Sequence, residues 1–358
     1  MAITPTRTLS PSAMSLFANL SGKWPFRRKP LKVAVLGTSN TVAGWGYYPH
    51  LATAYDLKVE RFALGGSSSF VAILFLDAIL ASRPDICVIE LAVNDATMVA
   101  LGETNVHHIE QTYRFLIARL RLAGITPLIL ILPHLDIMVG NPVRDIVRTV
   151  ARDLSVDVLD GYDIVADLTT GMPLESVFFD KSHISAETSF TLAGLLAERI
   201  KGLDRQPVAS HPTPVSYRYQ TANTLKTNGQ AIPLGTSLFA GQALIFENRV
   251  TAEVDLAPDE QIVAIAFDMC RSTGSLGFSG ETETIKALYN RYLDPDPSAL
   301  FACVVALRHP VAAENGPVRL GLAEAGHPPS DRNAHYIQPV SPLPEPRVAL
   351  FGLVIAQN

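Results

Sequence analysis

The chain has 358 residues, yet no run in it approaches the ~18 consecutive apolar residues of a membrane-spanning helix. A surplus of positive charge is also missing. Lys and Arg number 29 against 34 Asp and Glu, a net charge of -5 with nine His counted neutral. There is therefore no basic footprint for nucleic acid and no electrostatic pull toward an anionic membrane surface. Cysteine is scarce. The three thiols, Cys87, Cys270 and Cys303, are too far apart for a metal-binding cluster or a disulfide framework. Cys87 lies in an apolar run and reads as a buried thiol. Cys270 and Cys303 can pair only if their strands are neighbours. The pair His107-His108 opens a helix without a third ligand, so it reads as solvated, and neither metal nor cofactor is expected. Internal repeats and low-complexity tracts are absent. The amino terminus carries its apolar patch, Ser15 to Leu20, before its basic cluster, Arg27-Arg28-Lys29, the reverse of a secretory signal. The expectation is a soluble, cytoplasmic protein with a loose arm over residues 1–30; docking of that arm through Phe17, Trp24 and Phe26 is the alternative.

What is present is apolar: 48% of residues are hydrophobic and 18% charged, enough for a sizeable core. The length suggests two domains. From residue 31 to about 203, apolar strands alternate with helical patterns. Val33 to Leu36, Leu57 to Leu64, Asp85 to Val93, Thr126 to Leu132 and Val156 to Leu159 read as strands. Phe70 to Ser82, Val106 to Leu122, Val143 to Leu154 and Ser185 to Lys201 read as helices. That βαβα order predicts a parallel sheet covered by helices on both faces over residues 31–204. Three prolines between Gln206 and Pro214 mark a linker, 205–214. Beyond it helical periodicity nearly vanishes, and short β-rich runs separated by turn residues predict a smaller all-β sandwich-like domain, 215–358. Glu283 to Tyr292 is the one helix expected there. The sandwich also offers a face for homo-oligomer formation.

Four pieces of the first domain fall where strands meet loops. Gly37-Thr38-Ser39 follows the first strand and Gly65-Gly66-Ser67-Ser68 the second. Val93-Asn94-Asp95 follows the third. Asp180-Lys181-Ser182-His183 precedes the last helix. In a parallel sheet these converge on one edge, where open α/β sheets place their ligands. Acyl transfer needs what they carry. A serine hydroxyl is a weak nucleophile without an adjacent base, and the base needs an orienting carboxylate. Ser39 suits the nucleophile, His183 the base, and Asp180, three residues earlier, the orienting acid. The tetrahedral oxyanion needs preorganised donors. The Ser39 N–H, the Gly66 N–H and the Asn94 amide can supply them. The Gly-x-Ser-x-Gly elbow is absent, since Thr41 holds the last glycine position.

Over residues 31 to 203 this pattern resembles the SGNH hydrolase superfamily, the GDSL-like esterases and lipases. Gly37-Thr38-Ser39-Asn40-Thr41 is similar to its first block, and Ala63-Leu64-Gly65-Gly66-Ser67-Ser68 to its second, with Gly66 at the oxyanion glycine. Ile89-Glu90-Leu91-Ala92-Val93-Asn94-Asp95 is similar to the third, with Asn94 at the oxyanion asparagine. Phe179-Asp180-Lys181-Ser182-His183 is similar to the block bearing the Asp-x-x-His pair. The resemblance implies a flavodoxin-like parallel sheet sandwiched by helices and a metal-independent serine esterase. An O-acetyl group on a carbohydrate, or a small-molecule ester, is the implied substrate. Three positions depart from the pattern: Thr38 replaces the usual acid, Ala92 stands where glycine is usual and its methyl is expected to narrow the pocket, and Ile184 follows His183.

Competing readings exist for each residue. Ser39 also fits a structural turn, and His183 a helix-flanking position. Asp95 and Ser67 to Ser69 read as bracing. His134, at the end of the fourth strand, and Trp45, just after Ser39, are the candidate substrate contacts; a loop histidine and a packed aromatic are the alternatives. An acyltransferase using the same triad and a non-catalytic carbohydrate-binding or assembly protein are the rival functions.

Overall fold

Strand β1 (Leu31–Gly37) sits inside a five-stranded parallel sheet whose order is β2-β1-β3-β4-β5, with β2 Leu57–Ala63, β3 Ile86–Glu90, β4 Thr126–Ile131 and β5 Asp157–Asp160. In this computed structural model the described residues are 29–204, 213–293, 299–324, 327–333, 335–336 and 345–358. The amino-terminal arm through residue 28 and residues 205–212 of the expected linker lie outside them. Residues 31–358 make up one unit and residues 1–30 another.

The run Val33 to Leu36 is buried on both faces, as a central parallel strand requires. Val33 and Val35 join one core cluster, Ala34 and Leu36 another. The helices are α1 Ser39–Val42, α2 Tyr47–Ala54, α3 Val71–Ser82, α4 Ala92–Ala100, α5 Val106–Leu122, α6 Pro142–Asp153, α7 Gly161–Leu168 and α8 Ala186–Gly202. Their ends carry the expected chemistry. Asn105 caps α5 by accepting from the His108 N–H at 3.0 Å, and Ser185 caps α8 by accepting from the Thr188 N–H at 3.2 Å. Asn141 caps α6, with Pro142 at its first position. Basic residues close α5 and α8, complementing the helix dipoles. The parallel, flavodoxin-like expectation is met. One difference lies after β3: the strand stops at Glu90 and α4 begins at Ala92, so Asn94 stands in the first turn of a helix.

The remaining strands are β6 Ser216–Thr221, β7 Lys226–Thr227, β8 Ala231–Gly235, β9 Ala240–Phe246, β10 Thr251–Val254, β11 Glu260–Asp268, β12 Ser275–Ser279, β13 Glu283–Ala287, β14 Ala302–Ala312, β15 Val318–Leu322, β16 Asp331–Arg332 and β17 Val348–Gln357. They form two sheets, β16-β13-β12-β15-β10-β7 and β14-β11-β17-β9-β8, with β6 also on β17. All pairings are antiparallel except β13 with β16. The segment from Glu283, expected as a helix, is thus a strand. Its residues Thr284, Lys286 and Ala287 are buried between β12 and β16, and that cross-strand burial outweighs local helical preference.

The second sheet is buried on both sides. Along β11, Ile262, Ile265 and Phe267 face the sandwich core, while Val263, Ala264 and Ala266 face the α/β half. A register shift between Ile262 and Ala264 explains why two adjacent residues share the latter face. Small residues line this side, among them Ala243, Ala302, Ala306 and Ala349. They let the sheet lie close to α3 and α5, where Phe70, Phe115 and Tyr217 interlock at ring distances of 5.3 to 5.8 Å. The sandwich therefore packs directly on the α/β half. No helix among the described residues is long and apolar enough to cross a membrane.

Candidate active site

The parallel strand order reverses between β1 and β3, and the site lies at that switch point. Ser39 opens α1 directly beyond β1, and its hydroxyl-bearing side faces a cavity of about 350 Å³. Asp180 and His183 line the same cavity, with Trp45 and Phe179 at its rim. His183 Nδ1 is 2.8 Å from both carboxylate oxygens of Asp180, which leaves Nε2 as the ring nitrogen not engaged by the carboxylate. Asp180 Oδ1 also accepts from the Ser182 and His183 backbone N–H groups at 2.8 and 2.9 Å. Partial burial works upward on this carboxyl, but the His183 ring and the two amides outweigh it, and its pKa lies below the ordinary carboxylate value.

Asn40 ties the serine turn to the histidine loop. Its Nδ2 donates to the Ser182 carbonyl at 2.8 Å, and its Oδ1 accepts from the Ile184 N–H at 3.3 Å. Beneath the turn lies Glu90, fully buried at the end of β3. It accepts from the Thr38 N–H at 3.2 Å and the Thr41 hydroxyl at 2.9 Å, and Thr41 in turn meets the Tyr47 hydroxyl at 2.7 Å. Thr38, in place of the usual acid, thus directs its backbone to a carboxylate borrowed from the next strand. Ala92 packs in the core and does not line the cavity.

Gly66 has φ +66°, the left-handed region that glycine enters without strain. Asn94 donates one amide hydrogen to the Ser67 carbonyl at 3.0 Å. Ser67 and Ser68 bond to the β half, and Ser69 donates its N–H to Asp95 at 2.8 Å. His134 stands apart. It is buried, its Nδ1 accepts from the Asp136 N–H at 3.3 Å, and it does not line the cavity. His107 is exposed, but His108, expected to be solvated, is half-buried, and its buried Nδ1 has no hydrogen-bond partner among the described residues. No group of three His, Cys, Asp or Glu side chains among the described residues is placed to hold a metal ion.

Part of the wall has no counterpart in the sequence blocks. Thr236 and Leu238 come from the β8–β9 turn, and Leu300, Phe301 and Ala302 from the start of β14. They belong to the sandwich, far from Ser39 in the chain, and only the packing of the two halves delivers them. Glu90 had one available signal: an acid inside an otherwise apolar strand needs a buried partner.

Three buried carboxyls are pushed upward, chiefly by burial: Glu90 to about 7, Asp95 to about 7 and Glu103 to about 8, the last opposed by Lys286. Their ordinary values are 4.5, 3.8 and 4.5. Between those limits the folded chain holds protons that the unfolded chain has released. The stability they contribute is fully present below the ordinary values and lost as pH rises through 7 to 8. Each supplies a slope of up to about 1.4 kcal/mol per pH unit in its window. Calorimetry is expected to show a melting temperature that falls from pH 5.5 to 8.5, less steeply in Glu103→Gln; a flat or rising profile in the parent contradicts this.

No protein-family model matches the chain, and no curated protein matches it in sequence. Solved structures do match. The crystal structure of a two-domain esterase active on acetylated mannans is 12% identical, with a TM-score of 0.61 over 92% of this chain and 91% of that one. Such an esterase co-crystallised with mannopentaose gives 13% and 0.62 over the same shares. The shared fold spans both halves, the parallel sheet with its helices and the antiparallel sheets.

Proposed function

We propose that the chain is a serine esterase that cleaves a carboxylic ester, with an O-acetyl group on a carbohydrate as its substrate. The observation that carries the reading is the 2.8 Å His183–Asp180 pair opening into the same cavity as Ser39. In this mechanism Ser39 Oγ attacks the ester carbonyl carbon and its proton passes to His183 Nε2. Asp180 holds the ring through Nδ1–H and stabilises the imidazolium. The Ser39 N–H, the Gly66 N–H and the Asn94 amide receive the oxyanion. Collapse of the tetrahedral intermediate expels the alcohol, which takes the proton from His183. Water, deprotonated by His183, then attacks the acyl-enzyme; the acid leaves and the Ser39 hydroxyl is restored.

The cavity supports an acyl pocket, with Leu64, Leu238 and Leu300 as apolar wall. At its rim Trp45 and Phe179 have ring centroids 4.8 Å apart and are 42% and 65% exposed, a surface suited to the apolar face of a sugar ring. A fold shared end to end with an esterase active on acetylated mannans adds to the carbohydrate reading. The test is product analysis on p-nitrophenyl acetate and acetylated manno-oligosaccharides, with and without an acceptor alcohol. Free acetate in both conditions is expected. Acetyl transferred to the acceptor without free acetate assigns an acyltransferase instead, and no turnover on any ester refutes the catalytic reading in favour of a binding protein.

A further inference from the structure

The loop bearing Gly66 is held from both halves of the chain. On the α/β side, Asn94 and Asp95 bond to Ser67 and Ser69. On the β side, the Ser68 N–H donates to the Val304 carbonyl at 2.8 Å, and the Val304 N–H donates to Ser67 Oγ at 3.0 Å. The loop is thus bonded to β14 at Val304. One more contact falls on Gly66 itself: His335 Nε2 lies 3.2 Å from the Gly66 carbonyl oxygen. A Cβ on Gly66 would come within 2.7 Å of that nitrogen, so the imidazole occupies the space a side chain would take.

A carbonyl oxygen only accepts, so Nε2 carries the hydrogen and Nδ1 is bare. Among the described residues Nδ1 is buried and has no hydrogen-bond partner. The ring's other contacts are aromatic. His335 packs edge-on against Tyr292 with centroids 5.2 Å apart, and Tyr292 packs against Phe301 at 4.8 Å. The Phe301 ring reaches 3.3 Å from where a Cβ on Gly65 would stand, and it also lines the cavity. Burial first, and Arg291 to a lesser degree, hold the His335 pKa below the ordinary histidine value against the opposing pull of the Gly66 carbonyl.

We propose that His335 is a positioning residue for the oxyanion loop, a side chain of the sandwich that fixes the Gly66 peptide and, through it, the direction of the Gly66 N–H. The β half is then a working part of the active site, beyond any role in binding the alcohol. This rests on the reading of Gly66 as an oxyanion donor. Glycine has the widest conformational freedom of any residue; held only through its neighbours, it loses the aim that preorganised catalysis requires.

Two variants separate donor from bulk. His335→Phe keeps a ring against Tyr292 and removes the donor. His335→Gln loses the ring but carries an N–H at a reach similar to Nε2. With p-nitrophenyl acetate, kcat of His335→Phe is expected to fall about 10- to 100-fold, less than the loss from deleting a donor outright, with KM changed about twofold or less. His335→Gln is expected to recover most of kcat, even where its melting temperature is the lower of the two. A His335→Phe enzyme with parental kcat overturns the proposal while the esterase reading stands. So does a Gln variant no better than Phe, with activity tracking melting temperature in both. A parent protein that turns over no ester overturns the esterase reading and the proposal with it.

Discussion

Ser39→Ala is expected to lower kcat for ester hydrolysis by about 10⁴- to 10⁶-fold, leaving only the residual rate that binding and the oxyanion donors supply. The size follows from what is removed. Without the hydroxyl there is no acyl-enzyme, and His183 and the oxyanion donors have only water to activate, a water the cavity is not shaped to place. The fold should not register the change. The bond that Ser39 contributes to its turn is from its backbone carbonyl, which accepts the Ala43 N–H at 2.9 Å, and alanine keeps it. The side chain is half-buried at a cavity wall, and removing one oxygen there leaves stability within about 0.5 kcal/mol. Steady-state kinetics with a thermal melt on the same sample checks both. An unchanged rate makes Ser39 a turn residue and nothing more.

Asp180→Asn is expected to lower kcat about 10³- to 10⁴-fold. Asparagine can still accept from the Ser182 and His183 N–H groups through its oxygen, so the loop that both bonds stabilise should persist. Its NH₂, however, would face His183 Nδ1. That nitrogen must then accept, the proton moves to Nε2, and the base presents a donor to Ser39 in place of a lone pair. The imidazolium of the transition state also loses its counter-charge. Asp180→Ala is the useful contrast, since it strips the two backbone amides of their acceptor as well. The expected pattern is a similar loss of kcat in both variants with a lower melting temperature only in the alanine form. A near-parental rate in Asp180→Asn, with a loss only in Asp180→Ala, indicates that the carboxylate acts by holding the loop alone.

The legible part of this protein is the part that chemistry spaces locally. Asp180 and His183 lie within one turn of chain, and Gly66 and Asn94 each sit just past a strand, so sheet topology alone brings them toward Ser39. The parallel sheet was equally plain, because β1 and β4 are apolar without alternation. What escaped depends on contacts made across long stretches of chain. Glu90 reads as one residue of a buried strand until Thr38 and Thr41 are seen to bond to it. The stretch from Glu283 carries a helical pattern, and only pairing with β12 makes it a strand. The α/β-facing side of β17 looks like simple continuation of an apolar run. Its partners, α3 and α5, belong to another part of the chain, and no periodicity announces that the sheet is covered twice. For the same reason Leu238, Leu300, Phe301 and His335 gave no sign of lying beside the serine.

The central claim is that Ser39 is the nucleophile, and a fluorophosphonate probe tests it most directly. The probe reacts only with a serine whose base and oxyanion donors are in place. Peptide mapping by mass spectrometry is expected to find the label on Ser39 of the folded parent protein, and no label in Ser39→Ala or after denaturation. A label on another serine, or an unlabelled protein that still hydrolyses esters, contradicts the account.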